Sequence, residues 1–310
     1  MQLIRTIHSH KSDHSGAVAT IGNFDGVHLG HQSVLNKIAQ QGTKKNIPSM
    51  VIAFEPSANE FFLGAKAPPR LTNFREKFSF ISTLGIDQFV CLNFNRDLAN
   101  MPAEAFIEKI LVNTLHIKHL TVGDNFRFGK DRKGDFTLLQ NAAEKFEFTV
   151  EDSESFICSG KRVSSTLIRE YLNIGDLEQA KQLLGREYSI SGRVIHGDKK
   201  GRTIGFPTAN IPIKRKNCAV NGVFAVTITM QDGTELHGVA NIGHRPTVGG
   251  TRTQLEVHIF QFSQDIYGKL LKTTFCKKLR DEKKFESFDD LKKQIEHDSQ
   301  SAQDYFSVAA

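Results

Sequence analysis

Ten consecutive residues, Gly22-Asn23-Phe24-Asp25-Gly26-Val27-His28-Leu29-Gly30-His31, combine two imidazoles with three glycines. They follow an apolar stretch, Ala17 to Ile21, that reads as a buried strand. They precede a helical pattern with Val34, Leu35, Ile38 and Ala39 on one face. A junction of this kind is where an open α/β sheet binds ligands. The helix start offers N–H groups and the positive end of the helix dipole to a phosphate. His28 and His31 are three apart and share a face of the first turn, and Gly30 leaves that face open. Imidazole donors there suit the charge that develops on a transferring phosphoryl or nucleotidyl group. Taken alone, H-x-x-H also suits a capped helix with two surface histidines, or a metal pair with Asp25. The glycines, the preceding strand and the spacing favour the phosphate.

Other phosphate-binding patterns are incomplete. No G-x-G-x-x-G follows the first strand, which disfavours a dinucleotide enzyme. Gly123 to Lys130 looks like a Walker A loop, but five residues separate its glycines instead of four, and Asp131 stands where a Ser or Thr would hold magnesium. As a loop after a strand it can still reach the crevice of the histidines. Ser164, Ser165 and Thr166 open a further helix with Arg169 one turn on, which makes either a second anion site or ordinary N-caps.

The second half has its own cluster, His196 to Asn210. Gly197, Gly201 and Gly205 let a loop wrap closely around phosphates. Thr208 and Asn210 are two apart and face one side of an extended segment. Their oxygens suit Mg²⁺ already held by phosphates, and a turn-rich loop with a buried Thr and Asn is the alternative. Glu256 points away from Leu255, Val257 and Ile259. It is either the solvated face of a strand or a general base.

Two kinds of architecture must position these groups. Through residue 185, strand-like and helix-like segments alternate: strands at 17–21, 50–54, 88–92 and 119–122, with helical spacing at Phe74, Phe78, Ile81 and Leu84 and at Phe106, Ile107, Ile110 and Leu111. That alternation predicts a mostly parallel sheet with helices on both faces. Asp176 caps a short helix that Gly185 stops. Beyond it the period becomes two, in about six short segments that predict a small antiparallel barrel, with a last helix from Asp289 onward. The boundary between domains 1–185 and 186–310 falls at Gly185-Arg186.

Composition narrows the classes. The chain has 310 residues and a formal net charge of +6. Residues 186–310 hold 19 Lys/Arg against 14 Asp/Glu, so the basic excess lies there. No basic run is long enough to indicate nucleic acid, and Lys214-Arg215-Lys216 reads as a loop tip. No apolar stretch reaches the ~18 residues of a membrane span, and the first residues lack a secretory h-region. Four scattered cysteines argue against a zinc site or a disulfide framework and fit the cytoplasm.

Seven segments together carry a resemblance that covers nearly the whole chain: GNFDGVHLGH, FEP at 54–56, GDNFRFG at 123–129, SSTLIR at 164–169, GRTIGFPTAN at 201–210, GVANIG at 238–243 and the strand of Glu256. In this order they resemble the bacterial bifunctional riboflavin kinase/FMN adenylyltransferases, or prokaryotic-type FAD synthetases. The resemblance implies a Rossmann-like nucleotidyltransferase domain followed by a small six-stranded antiparallel β-barrel with a C-terminal helix. It implies phosphorylation of riboflavin by ATP in the barrel, then adenylylation of FMN to FAD in the first domain with release of pyrophosphate, both with Mg²⁺. His28 and His31 would stabilise the α-phosphoryl transition state. Asn23, Asp25, Ser164, Ser165, Thr166 and Arg169 would serve the ATP phosphates, with Gly201 and Gly205 doing so in the barrel. Phe62, Asn125, Phe128 and Arg162 would meet the flavin or its phosphate. Thr208 and Asn210 would hold Mg·ATP, and Glu256 would take the proton of the ribityl 5′-hydroxyl. Small molecules are the expected partners, without nucleic acid or membrane.

Two segments depart from the pattern. Pro56-Ser57-Ala58 lacks a further proline, which bears on loop stiffness near the flavin. Gly243-His244-Arg245-Pro246-Thr247 places an imidazole near the kinase site. A flavin- or nucleotide-responsive regulatory protein on the same scaffold is the rival from another class, and it would not need to keep His28, His31, Thr208, Asn210 and Glu256 together. A transferase acting on another phosphate ester would have no use for the barrel.

Overall fold

Five consecutive buried residues, Ala17–Ile21, form the inner strand β2 of a parallel sheet. The computed structural model describes residues 1–5, 16–123, 125–197, 205–213, 218–247 and 250–309. The chain divides into two compact units, Met1–Pro68 with Thr72–Ser164, and Pro69–Leu71 with Ser165–Ala310.

The first unit holds β1 (Gln2–Ile4), β2, β3 (Ser49–Phe54), β4 (Gln88–Leu92), β5 (Ile117–Gly123) and β6 (Thr149–Ser153) in the order β1-β4-β3-β2-β5-β6. All five pairings are parallel. Inner strands β3 and β4 are almost wholly apolar because a parallel sheet is covered on both faces, whereas inner β5 also carries Lys118, His119 and Thr121. One face packs Ala19, Met50, Ile52 and Leu120 against the segment around Phe106 to Leu115. The other packs Val18, Val51 and Phe89 against Leu35, Ile38 and Ile81. The helices are α1 (Leu29–Lys45), α2 (Ala58–Leu63), α3 (Phe74–Ser82), α4 (Arg96–Ala99), α5 (Ala103–Phe106) and α6 (Phe136–Phe146). The helix expected around Phe106 begins as α5 and continues as a π-helix over Ile107–Val112.

From β2 the chain builds outward through β3 to β4, then returns to place β5 and β6 on the other side. The switch point lies between β2 and β5, so the loops leaving their carboxyl ends flank the crevice. A polar hub ties α1 to this side of the sheet. Glu151 of β6 accepts hydrogen bonds from Lys37 at 2.9 Å, Gln41 at 3.3 Å and Thr121 at 2.9 Å, with His119 Nε2 at 3.3 Å. Burial pushes its carboxyl up, but the bonds from Lys37, Thr121 and His119 prevail and hold it down at about 2.

The second unit begins with α7 (Ser165–Ile174) and α8 (Leu177–Leu184). Asp176 caps α8 and Gly185 ends it in the left-handed conformation, as its sequence predicts. Strands β9 (Ser189–Arg193), β10 (Ala209–Pro212), β11 (Gly222–Thr229), β12 (Glu235–Thr247), β13 (Gly250–Ile259) and β14 (Leu270–Arg280) pair antiparallel in the order β10-β13-β12-β11-β14-β9. The two edges meet where Ile195 N–H donates to Asn210 O at 2.8 Å, so the six strands form a nearly closed barrel. Phe224, Leu255, Val257, Leu271 and Phe275 fill it. Helix α9 (Phe288–Ala309) packs Ala302 against Val223, Ala225 and Val239, and the Arg280 guanidinium grips buried Asp298 with Nη2 at 2.7 Å. Among the described residues no helix is long and apolar enough to cross a membrane.

Candidate active sites

His28 is the N-cap of α1. Its Nδ1 accepts the His31 N–H at 3.3 Å, which places the ring's proton on Nε2 and makes that edge a hydrogen-bond donor. The His31 ring stacks on it, with centroids 3.5 Å apart and planes 16° apart. The spacing of three therefore stacks the two imidazoles at a helix N-terminus. Gly30 leaves room beside this stack, because a Cβ there would stand a tight 3.3 Å from the His28 ring.

The preceding loop is held in an uncommon conformation. Phe24 and Val27 have φ of 46° and 41°, values that side chains adopt only when their surroundings impose them. Asp25 does this from within. It is buried, and its Oδ1 accepts from Thr72 N at 3.0 Å and Thr72 Oγ1 at 3.3 Å. Gly26 N–H donates to the same hydroxyl at 3.0 Å, and Lys77 Nζ donates to Asn23 O at 2.6 Å. The Asp25 carboxylate thus staples the loop to the start of α3, while Asn23 is exposed. Thr72→Val removes the hydroxyl from two of these bonds. It is expected to destabilise the protein by about 1–3 kcal/mol in denaturant unfolding, and unchanged stability would show that the loop stands without it.

The loop after β5 turns at once, with Phe126 N–H donating to Gly123 O at 2.9 Å, and exposes Asn125. Phe128 is buried and stacks on Phe126 at 5.3 Å. It backs the loop from the core. Gly129 and Gly134 pack against Ala103, where a Cβ on either would come within 2.8 Å. At the carboxyl ends of β3 and β4, Phe61, exposed Phe62 and Phe94 meet edge to face at 5.2–5.7 Å, and Phe54 meets Phe94 at 5.6 Å. The expected loop change after Pro56 takes a specific form: Ser57 caps α2 in a capping box with Glu60. Arg162 lies exposed on β8 (Lys161–Arg162), which pairs with β7 (Ile157–Cys158). Phe156 and Val163 close the base of that hairpin, so Arg162 and Ser164 flank a residue bonded to the neighbour of Gly30. Ser165, Thr166 and Arg169 belong to α7 of the second unit, where Arg169 Nε donates to Pro69 O at 2.7 Å.

In the barrel, register assembles the second group. Glu256 on β13 pairs directly with Asn210 on one side and Asn241 on the other. Direct partners share a face, so these three polar side chains form a row across β10, β13 and β12. Asn210 is buried under Gly197, where a Cβ would come within 2.5 Å of its amide. Its Nδ2 donates to Thr208 O at 3.1 Å, and its Oδ1 accepts from Gln254 Nε2. Gly205 adopts a φ of 87° just before this segment, and Gly201 lies outside the described residues. The hydroxyl, amide and carboxylate oxygens are hard donors and fit a magnesium ion carried in by phosphates. Among the described residues no cluster of three His, Cys, Asp or Glu exists that would cage an ion without them. Sequence reasoning missed Thr72, Phe94, Asn241 and Gln254, because each joins its site through partners distant in sequence, and it missed Phe61 although its adjacency to Phe62 was a local signal.

Residues 10–167 match the FAD synthetase family and residues 184–306 the riboflavin kinase family. The chain is 49% identical over 306 residues to the bifunctional riboflavin kinase/FMN adenylyltransferase of Haemophilus influenzae, and 46% identical over 309 residues to that of Escherichia coli K12, each alignment covering 99% of both chains. A solved structure titled as a macrolide-efflux protein from Streptococcus pneumoniae superposes with a TM-score of 0.79 at 27% identity, covering 97% of this chain and 98% of that one. The chain belongs to the bifunctional riboflavin kinase/FMN adenylyltransferase family.

Proposed function

We propose that the two activities of this family are divided between the two units, with ATP the donor in both. The barrel phosphorylates riboflavin. The ribityl 5′-hydroxyl attacks the γ-phosphorus, the bond to ADP breaks, and Glu256 accepts the hydroxyl proton. Thr208 and Asn210 hold Mg·ATP, with Gly201 and Gly205 in the loop around its phosphates. Magnesium, when bound with ATP, offsets the phosphate charge.

The parallel-sheet unit adenylylates FMN. A phosphate oxygen of FMN attacks the α-phosphorus of ATP, and pyrophosphate leaves. The attacking oxygen is already an anion, so no base is needed. The task of the protein is to stabilise charge on the α-phosphoryl group, and the N–H donors of His28 and His31 serve it. Asn23 and Ser164 serve the phosphates, and Asp25 acts through the loop it staples. Phe62 and Asn125 meet the flavin, Phe128 backs the loop of Asn125, and Arg162 meets the flavin phosphate.

The observation that carries this reading is the register of the barrel, which puts a carboxylate beside the residue proposed to hold Mg·ATP. None of the four cysteines forms a disulfide, which supports placement in the reducing cytoplasm. Incubation with riboflavin, ATP and Mg²⁺ followed by chromatography is expected to yield FMN and then FAD; no FMN would refute the kinase reading.

The boundary at Gly185-Arg186 predicts that residues 186–310 make FMN and no FAD. Because α7 and α8 group with the barrel, a fragment beginning at Ser165 is the companion test. A folded fragment of either length without kinase activity would contradict the division.

A further inference from the structure

Strand β13 presents more than Glu256 on its polar face. Gln254, Glu256 and His258 alternate with the buried residues Leu255, Val257 and Ile259. The register places Gln254 opposite Pro212 and Glu256 opposite Asn210, so the next residue on this face, His258, lies alongside the approach to β10. Both flanking side chains reach that segment. Gln254 Nε2 donates to Asn210 Oδ1. His258 Nδ1 lies 2.9 Å from Pro207 O. A carbonyl can only accept, so the ring carries its proton on Nδ1. The same ring packs edge-on against Phe206 at 5.1 Å and Phe260 at 5.8 Å.

Thr208 precedes the first residue of β10, Ala209, and lies outside the strand ladder. Its place therefore depends on what holds Pro207 before it and Asn210 after it. We infer that Gln254 and His258 are positioning residues for phosphoryl transfer: they brace the two ends of the Pro207–Asn210 segment and so set Thr208 and the Asn210 oxygen relative to Glu256. The inference rests on the reading of the barrel as the kinase site. Neither residue need touch substrate, and their effect passes through the segment they hold. A misplacement of about 1 Å can cost up to about 10²-fold in rate.

The test uses the full chain and exploits side-chain geometry. Asn carries its N–H where His carries Nδ1, whereas Gln carries it one bond further out. His258→Gln is expected to lower kcat/KM for Mg·ATP in riboflavin phosphorylation by about 10–10²-fold. His258→Asn should recover most of that loss, and Gln254→Met should reproduce it. Riboflavin affinity and the rate from FMN to FAD should stay at wild-type values, the first also reporting that the barrel of each variant is folded. A structural role alone would follow stability instead of donor position, so thermal midpoints are measured alongside. If His258→Asn is no better than His258→Gln, or if His258→Gln and Gln254→Met both phosphorylate like wild type, the inference is overturned. If wild type itself makes no FMN, the kinase reading fails instead.

Discussion

Glu256→Gln is expected to reduce riboflavin phosphorylation by about 10²-fold or more while adenylylation of supplied FMN continues at the wild-type rate. The substitution keeps the size and hydrogen bonding of the side chain and removes its basicity. Attack by an alcohol on phosphorus at neutral pH requires the hydroxyl proton to leave, and the pairing of Glu256 with Asn210 puts a carboxylate beside the proposed Mg·ATP ligand. Riboflavin should still bind, so the loss belongs in single-turnover phosphorylation and not in affinity. Phosphorylation at the wild-type rate would leave Glu256 as a half-buried strand residue with no part in proton transfer.

His31→Ala is expected to show the opposite pattern, with FAD formation lowered by about 10²–10³-fold, the usual cost of one donor to a developing oxyanion. FMN formation should survive. The loss should fall mainly on kcat, because the donor is needed for charge gained in the transition state. His31 is a cleaner probe than His28. The His28 ring also caps α1 through the His31 N–H, and loss of a cap alone costs about 0.5–2 kcal/mol of stability. Near-normal adenylylation by His31→Ala would remove the imidazole from the chemistry.

Much of this arrangement is legible before folding. The apolar runs at 17–21, 50–54 and 88–92 are strands because both faces of a parallel sheet are covered, and the switch to period two after Gly185 marks the barrel. β1 and β6 escape notice for physical reasons. β1 has three residues, and β6 is a largely polar edge strand, Thr-Val-Glu-Asp-Ser, whose Glu151 serves the hub on α1. The capping box at Ser57-Ala-Asn-Glu60 follows a recognisable local pattern, yet it reads only as a missing proline when judged against a family pattern. The staple from Asp25 to Thr72 spans 47 residues, and nothing local in either segment announces it. Gln254 and His258 likewise acquire their partners only once the register of β10 against β13 is known. The side chain of His244, in the departing Gly243–Thr247 segment, lies outside the described residues.

The central claim is that two separate chemistries operate in one chain, one depending on Glu256 and the other on His31. Mixing the two variants tests it most directly. Glu256→Gln and His31→Ala are each incubated with riboflavin, ATP and Mg²⁺, alone and together, and FAD is followed by chromatography. Alone, the first should make little FMN, and the second should accumulate FMN without FAD. Together they should make FAD, because FMN released by His31→Ala is a substrate for the intact adenylylation site of Glu256→Gln. A mixture that makes no more FAD than its two components separately would contradict the account.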